Sequence, residues 1–407
     1  MTERPQTASR LDVVAERDPP SAVLLRRLLP LSVRVLAQGQ VAGEFAFTLA
    51  GARGADGSLR LRPVGTSTRY GIIAALGLMR LPRAESRWVL GGDDCNDLIG
   101  RLAKRLDAMT SRGDVALICW AAAEAGHSDL PHALDRLWEL DRSAERVRPA
   151  DPLDMVSAAW VVTALVAARA RTDVERHLAL SRGRLLAARR AVFPHLVGGT
   201  RSWYRSHVGS FADQVYPVQA LARLHRSSDD PQALAAAEKV AAAICQAQGE
   251  AGQWWWHYDA RTGDVVEGYP VYSVHQHAMA PMALLDLAEA GGQDHIDAVC
   301  RGLRWLTRRP ETGEDMIRDH PPVIWRKVAR GDPGKAVRGA SAAATRIRRG
   351  TRLPGIDRLF RPGAVDHECR PYELGWLLHA WLPEGEPARD GEPDREGGQR
   401  GEGGRGG

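Results

Sequence analysis

The feature that most restricts this 407-residue chain is an alternation of two kinds of helix-forming segment. In one kind the apolar residues recur on a single stripe. Leu98, Ile99, Leu102, Leu106 and Met109 stand against Arg101, Lys104, Arg105 and Asp107; Ile296, Val299, Cys300, Leu303 and Leu306 stand against Asp297, Arg301 and Arg304. Such a helix has one wet face. The other kind is apolar all round: Gly71 to Met79, Val115 to Ala123, Met155 to Ala168, Ala278 to Leu285, and Leu374 to Leu382 apart from His379. Those segments must be covered on every side.

In chain order the buried kind falls near residues 70, 115, 155, 215, 275 and 375. The amphipathic stretches 95–110, 130–143, 173–189, 231–246, 295–309 and 335–349 lie between or beside them. Six inner helices, each with an outer partner, close into a two-layer ring, because neighbours, partner and ring centre together cover an inner helix. The pattern predicts an all-α chain, an (α/α)6 toroid. Its irregular period fits a ring with long functional loops better than a uniform solenoid. Ahead of the ring, Leu31, Val33 and Val35, then Phe45, Phe47 and Leu49, then Leu59 and Leu61 alternate with polar or small residues. That is strand periodicity, and it predicts a small N-terminal β-flap. The chain then divides into a disordered N-terminus (1–20), a helix plus β-flap (21–64), the toroid (65–382) and a disordered tail (383–407). The tail holds nine Gly and three Pro in 25 residues and cannot bury enough apolar surface to order itself.

Composition excludes several function classes. Lys and Arg exceed Asp and Glu by 55 to 50, but 51 of the 55 are Arg and the chain has one Asn, Asn96, the skew of a high-GC bacterial genome. The excess therefore does not indicate a nucleic-acid partner, and no recognised nucleic-acid motif accompanies it. The five cysteines are far apart with no C-x-x-C pair, which argues against a disulfide scaffold and a structural zinc site and fits a reducing cytoplasm. The first 20 residues hold no apolar signal core, and the longest uncharged apolar run, Met155 to Ala168, is shorter than the roughly 20 residues a membrane span requires. A cytoplasmic, soluble protein without metal or cofactor is expected.

Gly65 to Leu78 reads G-T-S-T-R-Y-G-I-I-A-A-L-G-L, and after several helical repeats Gly252 to Asp259 reads G-Q-W-W-W-H-Y-D. The chain between Gly65 and Leu382 resembles the α/α toroid superfamily, which includes six-hairpin glycosidases, polysaccharide lyases, uronyl epimerases and terpenoid cyclases. The Gln246 to Trp254 segment is a loose relative of the cyclases' Q-x-x-D-G-x-W repeat, while their D-x-D-D motif is missing. The resemblance implies a carbohydrate-active enzyme of hydrolase, lyase or epimerase type working on a bacterial glycan, a glycolipid head group or a precursor. An isoprenoid-handling ring and a non-catalytic binding ring are the alternatives.

The residues themselves point to one crowded region. Trp254, Trp255, Trp256, Tyr258, Tyr269 and Tyr272 place six of the chain's 24 aromatics in 19 residues, interleaved with His257, Asp259, Glu267, His275, Gln276 and His277. Three adjacent indoles point in different directions, so some face a cavity, where a flat ring covers the C–H face of a sugar and nearby polar groups take its hydroxyls. His275 and His277 are two apart on a helix and diverge by about 200°, too far round for one metal. A second cluster, Arg201 to His207 with Trp203 and Arg205, precedes Asp213 in the same relation. In a ring, the loops entering inner helices share one rim, so Arg69, Tyr70, Asp154, His367, Glu368, Tyr372 and Glu373 converge there as well. Asp259, Asp213 and Glu373 are then the acid and base candidates. For a uronic acid substrate, Tyr272 or His275 would abstract the proton alpha to the carboxylate and Arg69 or Arg205 would bind it. Residues 326–352 carry nine Lys and Arg against Asp332 alone, a basic segment suited to peripheral contact with membrane phosphates.

Overall fold

A computed structural model describes residues 9–146, 153–198 and 203–383. The expected disorder of residues 1–8 and of the tail from 384 onward, and the positions of Arg201 and Ser202, lie outside the described residues. Helices α1 (Arg10–Arg17) and α2 (Pro19–Gly39) open the chain. They are followed by α3 (Thr68–Leu78), α4 (Arg83–Val89), α5 (Cys95–Ala103), α6 (Arg112–Ala125), α7 (Leu130–Arg146), α8 (Met155–Ala168) and α9 (Glu175–Ala188). The second half contains α10 (Ala212–Ser228), α11 (Pro231–Gln246), α12 (Ala280–Glu289), α13 (Ile296–Arg308), α14 (Ala336–Ile347), α15 (Ile356–Leu359) and α16 (Pro371–Trp381). The chain is an (α/α)6 toroid: α3, α6, α8, α10, α12 and α16 pack in that order and α16 returns onto α3. Outside them lie α5, α7, α9, α11, α13 and α2.

The closing seam depends on two glycines. A Cβ on Gly77 of α3 or on Gly375 of α16 would collide with backbone atoms of the other helix, so the two inner helices approach as closely as their backbones allow.

Three stretches depart from the sequence expectations. Residues 10–20, expected as part of a disordered end, are helical apart from Asp18, which breaks α1 from α2. Leu31, Val33 and Val35, expected in a strand, belong to α2, where Leu24, Leu25, Leu28, Leu31, Val35 and Leu36 are buried. The alternation over residues 31–35 is a short coincidence inside a longer helical period, which makes α2 the sixth outer helix. The stretch 335–349, expected as that outer helix, forms α14, which lies on the rim against the strand Val265–Glu267 and the turn Trp203–Arg205. Its buried face is Val337, Ser341, Ala342 and Thr345, too small to cover an inner helix.

The β-flap forms. Gln40–Val41, Glu44–Arg53, Leu59–Thr66 and Glu368–Cys369 make an antiparallel sheet of four strands beside the seam. Two further small sheets organise the rim. One joins Val208–Ser210, His257–Asp259 and Val265–Glu267; the other joins Val271–Tyr272, Lys327–Arg330 and Pro362–Asp366. No helix among the described residues is long and apolar enough to cross a membrane.

Candidate functional site

The six inner helices run in the same direction, so their N-terminal turns share one rim, and a cavity of about 580 Å3 opens there. Each inner helix contributes to its wall. Arg69 and Tyr70 come from the first turn of α3, Arg112 begins α6, Asp154 is the N-cap of α8, and Ala212 and Tyr216 come from α10. Tyr272, His275 and Met279 come from the entry to α12, and Tyr372 from α16. Loops add Trp256, His195 and Arg326.

The entry to α12 is a π-helical turn, His275–Met279. Pro281 has no N–H to give the His277 carbonyl, which accepts instead from the Trp381 indole at 2.6 Å. A single π turn re-aims side chains within a helix and recurs at functional sites. Here it presents His275 to the cavity and leaves His277 fully buried.

Aromatic faces make much of the wall. Trp256 stacks on His275 (5.9 Å between centroids, 7° between planes) and leans on Tyr272 at 4.8 Å. Trp160 meets Tyr216 edge-on at 5.1 Å, and Tyr70 packs on Tyr372 at 4.6 Å. Burial pushes the Tyr272 and Tyr216 hydroxyls above their ordinary range and holds His275 down to about 3, so His275 is a neutral imidazole at physiological pH.

A carboxylate and an imidazole pair at the edge of the cavity. Asp213, fully buried, accepts from the Ser210 N–H at 2.7 Å and the Ser210 hydroxyl at 2.8 Å, and its Oδ2 lies 3.1 Å from His195 Nδ1. His195 lines the cavity with 60% of its side chain exposed. The Asp213 hydrogen bond raises the His195 pKa above its ordinary value, against partial burial and the charge of Arg205. The loop is fixed by backbone: Met155 N–H donates to the His195 carbonyl at 2.9 Å, and Val197 N–H to Leu153 at 2.8 Å, which brings Asp154 alongside. A buried carboxylate that fixes an imidazole and favours its charged form is the arrangement a general acid or base needs.

Glu373 stands one layer behind the wall. Burial raises its carboxyl to about 7, against the opposing charge of Arg326, whose Nε lies 3.4 Å away. Arg326 itself lines the cavity and sits over the Tyr272 ring at 5.1 Å.

Of the residues the sequence singled out, the structure brings Arg69, Tyr70, Asp154, Trp256, Tyr272, His275 and Tyr372 to the cavity wall, with Asp213 and Glu373 reaching it through His195 and Arg326. Asp259 is elsewhere: its carboxylate accepts from Arg261 Nε at 2.9 Å and Nη2 at 2.7 Å and fixes a turn. Trp254 is fully buried against Phe211, and Trp255 packs on Tyr269. Tyr258 and His257 are buried in the rim sheet, and Gln276 ties Tyr272 O to the Trp254 N–H. Trp203 is exposed beside Arg205 on the turn under α14, and His367 pairs with Glu314 at 2.9 Å. Part of the basic segment is committed within the chain, since Lys327 pairs with Asp366 at 2.6 Å and Arg330 with Glu267 at 3.1 Å. Among the described residues no three His, Cys, Asp or Glu converge as a metal-ligand set.

Sequence reasoning missed His195, Trp160 and Arg112, and took Arg326 as one charge in a basic run. His195 carries no local signal, because its role is created by a partner 18 residues away on another element.

No protein-family model matches this chain, and no curated protein matches it. Solved structures do. The unsaturated glucuronyl hydrolase from Bacillus sp. GL1, described as responsible for the degradation of glycosaminoglycan, superposes with a TM-score of 0.54 at 14% identity, covering 88% of this chain and 95% of that one. An unsaturated glucuronyl hydrolase specific for heparin gives 0.52 at 12% identity over 88% and 96%, and that from Streptococcus agalactiae 0.54 at 12% over 88% and 90%. At such identity the likeness concerns architecture alone, and this chain shares their (α/α)6 toroid fold.

Proposed function

We propose that this chain is a carbohydrate-active enzyme that seats one sugar ring of a glycan, glycolipid head group or precursor in the rim cavity and moves a proton through His195. The observation that carries this reading is the composition of the wall: aromatic faces of Trp256, Trp160, Tyr216 and Tyr272 beside the Asp213-fixed His195 and the carboxylate of Asp154. Aromatic faces cover the apolar side of a pyranose, while the surrounding polar groups take its hydroxyls. An isoprenoid ligand fits this wall poorly, because Arg69, Arg112, Arg326, His195 and Asp154 share it with the aromatics. The hydrolases of like fold support a saccharide and direct the substrate test toward uronyl oligosaccharides.

Asp154 is the one carboxylate in the described wall, with Asp213 acting through the imidazole. A double displacement needs two carboxyl groups facing the scissile bond, about 5 Å apart. One oriented imidazole and one carboxylate instead suit proton transfer at the sugar: elimination, epimerisation, or hydrolysis begun by protonation. The test is turnover on a panel of neutral, uronyl and 4,5-unsaturated uronyl oligosaccharides, followed by product analysis and by the unsaturated-uronate absorbance. Turnover lost in His195→Ala with binding retained is the expected result. Binding of no saccharide by the parent protein, or turnover unchanged in His195→Ala, overturns the reading.

A further inference from the structure

The guanidiniums inside the cavity and those at its lip differ in one respect. Within the wall each has a carboxylate: Arg69 with Asp114 at 2.5 Å, Arg112 with Asp141 at 3.7 Å, and Arg326 with Asp366 at 3.6 Å and Glu368 at 3.7 Å. The lip has two without one. Arg338 reaches from α14 over the Trp256 ring, its Cζ 5.4 Å from the centroid, and among the described residues it forms no ion pair. Its Nε is buried and lacks a hydrogen-bond partner among the described residues, as do Trp256 Nε1 and His257 Nδ1. Arg205, on the turn that supports α14, also forms no ion pair among the described residues.

These groups act on one another. Burial, helped by the Arg205 charge, disfavours the charge on Arg338 more than Tyr272, Asp332 and Glu267 favour it, and His257 is held well below its ordinary value by burial and then by Arg338 and Arg205. Two like charges are thus held together, partly out of water, with donors that the protein leaves unpaired. An anion with several acceptor oxygens relieves both the repulsion and the missing hydrogen bonds, and a guanidinium fork accommodates it in two-point contact. Because Trp256 forms the cavity wall beneath Arg338, such an anion would adjoin the seated sugar ring.

We propose that Arg338 and Arg205 form a second subsite at the lip, which takes an anionic substituent, a carboxylate or a sulfate or phosphate ester, on the sugar unit just outside the cavity. This rests on the reading of the cavity as a sugar site. It places charge recognition on the inserted helix α14, while the ion-paired interior recognises the shape of the ring.

Calorimetric titration of three matched disaccharides tests it: one neutral, one with a uronate and one with a sulfate on the outer unit. In the parent protein the charged disaccharides should bind at least about tenfold tighter, a gap that narrows as added salt screens the site. Arg338→Gln should abolish the gap and leave the neutral disaccharide unaffected, Arg338→Lys should retain part of it, and Arg205→Gln should reduce it. Should Arg338→Gln fail to fold by circular dichroism, the Lys and Arg205 variants are read in the same way. A gap for the sulfate alone or the uronate alone identifies which anion the subsite takes. Equal affinity for neutral and charged disaccharides in the parent, or equal weakening of all three in the variants, overturns the subsite while the sugar reading stands. If the parent binds none of them, the sugar reading falls and the subsite falls with it.

Discussion

At the C-terminal ends of the inner helices, opposite the cavity, the buried carboxylates are paired with guanidiniums, although His379 Nδ1 beside them is buried without a partner among the described residues. Asp286 accepts from Arg10, from Gln219 at 3.0 Å and from Arg223 Nε at 2.6 Å. Glu124 accepts from Trp120 at 2.5 Å and Arg80 at 3.0 Å, and Arg10 also donates to the Ala380 carbonyl at 2.8 Å. Burial alone would raise the Asp286 carboxyl, but Arg223 and Arg10 hold it far below the usual range. This floor ties α1 to the ends of α12 and α16. At the mouth, by contrast, Trp256 Nε1, His257 Nδ1 and Arg338 Nε are buried without partners among the described residues. A buried donor left unpaired costs about 1–3 kcal/mol. The comparison separates two arrangements in one ring: buried ion pairs that hold the helices together, and a mouth where several buried polar atoms have no protein partner among the described residues.

The sharpest way to break this comparison is at the floor. Asp286→Ala leaves the Arg10 and Arg223 guanidiniums facing each other in a buried site, and should lower the unfolding free energy by about 3–5 kcal/mol in urea titrations. A loss under about 1 kcal/mol would mean that the floor does not clamp the ring.

The tryptophans give the same contrast within one tripeptide. Trp254 is fully buried, so Trp254→Ala should cost about 3–5 kcal/mol. Trp256 lines the cavity, and Trp256→Ala should cost markedly less stability while weakening saccharide binding. Similar melting temperatures for the two variants would erase the distinction between core and wall.

Asp213→Asn sharpens the assignment of the acid–base pair. The carboxylate holds the His195 pKa up, and an amide does not, so the limb of the kcat/KM profile that reports His195 should move to lower pH. Turnover should fall by about 10²–10⁴-fold. An unmoved profile, checked by NMR titration of His195, would reduce Asp213 to a helix-start residue.

The smallest effect concerns Glu373. Its carboxyl is raised to about 7 in the folded protein, so the native state holds a proton that the unfolded chain releases near its ordinary value of 4.5. Its contribution to stability is complete below that ordinary value and is lost as pH rises through about 7. Glu373→Gln should flatten the decline of melting temperature across this interval, and an identical decline in parent and variant would place the titration on another group.

The ring is legible in the residues alone. Segments such as Met155 to Ala168 and Leu374 to Leu382 are apolar on every face, and in water only a position surrounded by other helices accommodates them. The inner positions and the flap hairpin are local patterns, legible without neighbours. Tertiary structure decided which outer helix closes the ring, because α2 and α14 compete for that place by the bulk of one buried face, which is measured only against the helix it must cover. It also decided the site. Three consecutive Trp codons show that indoles are crowded but not that Trp254 turns inward and Trp256 outward, and nothing around residue 195 marks His195 before Asp213 is folded beside it. Helical periodicity is written in neighbouring residues, whereas the charge and orientation of a cavity side chain such as His195 depend on partners that only the folded chain brings within hydrogen-bond distance.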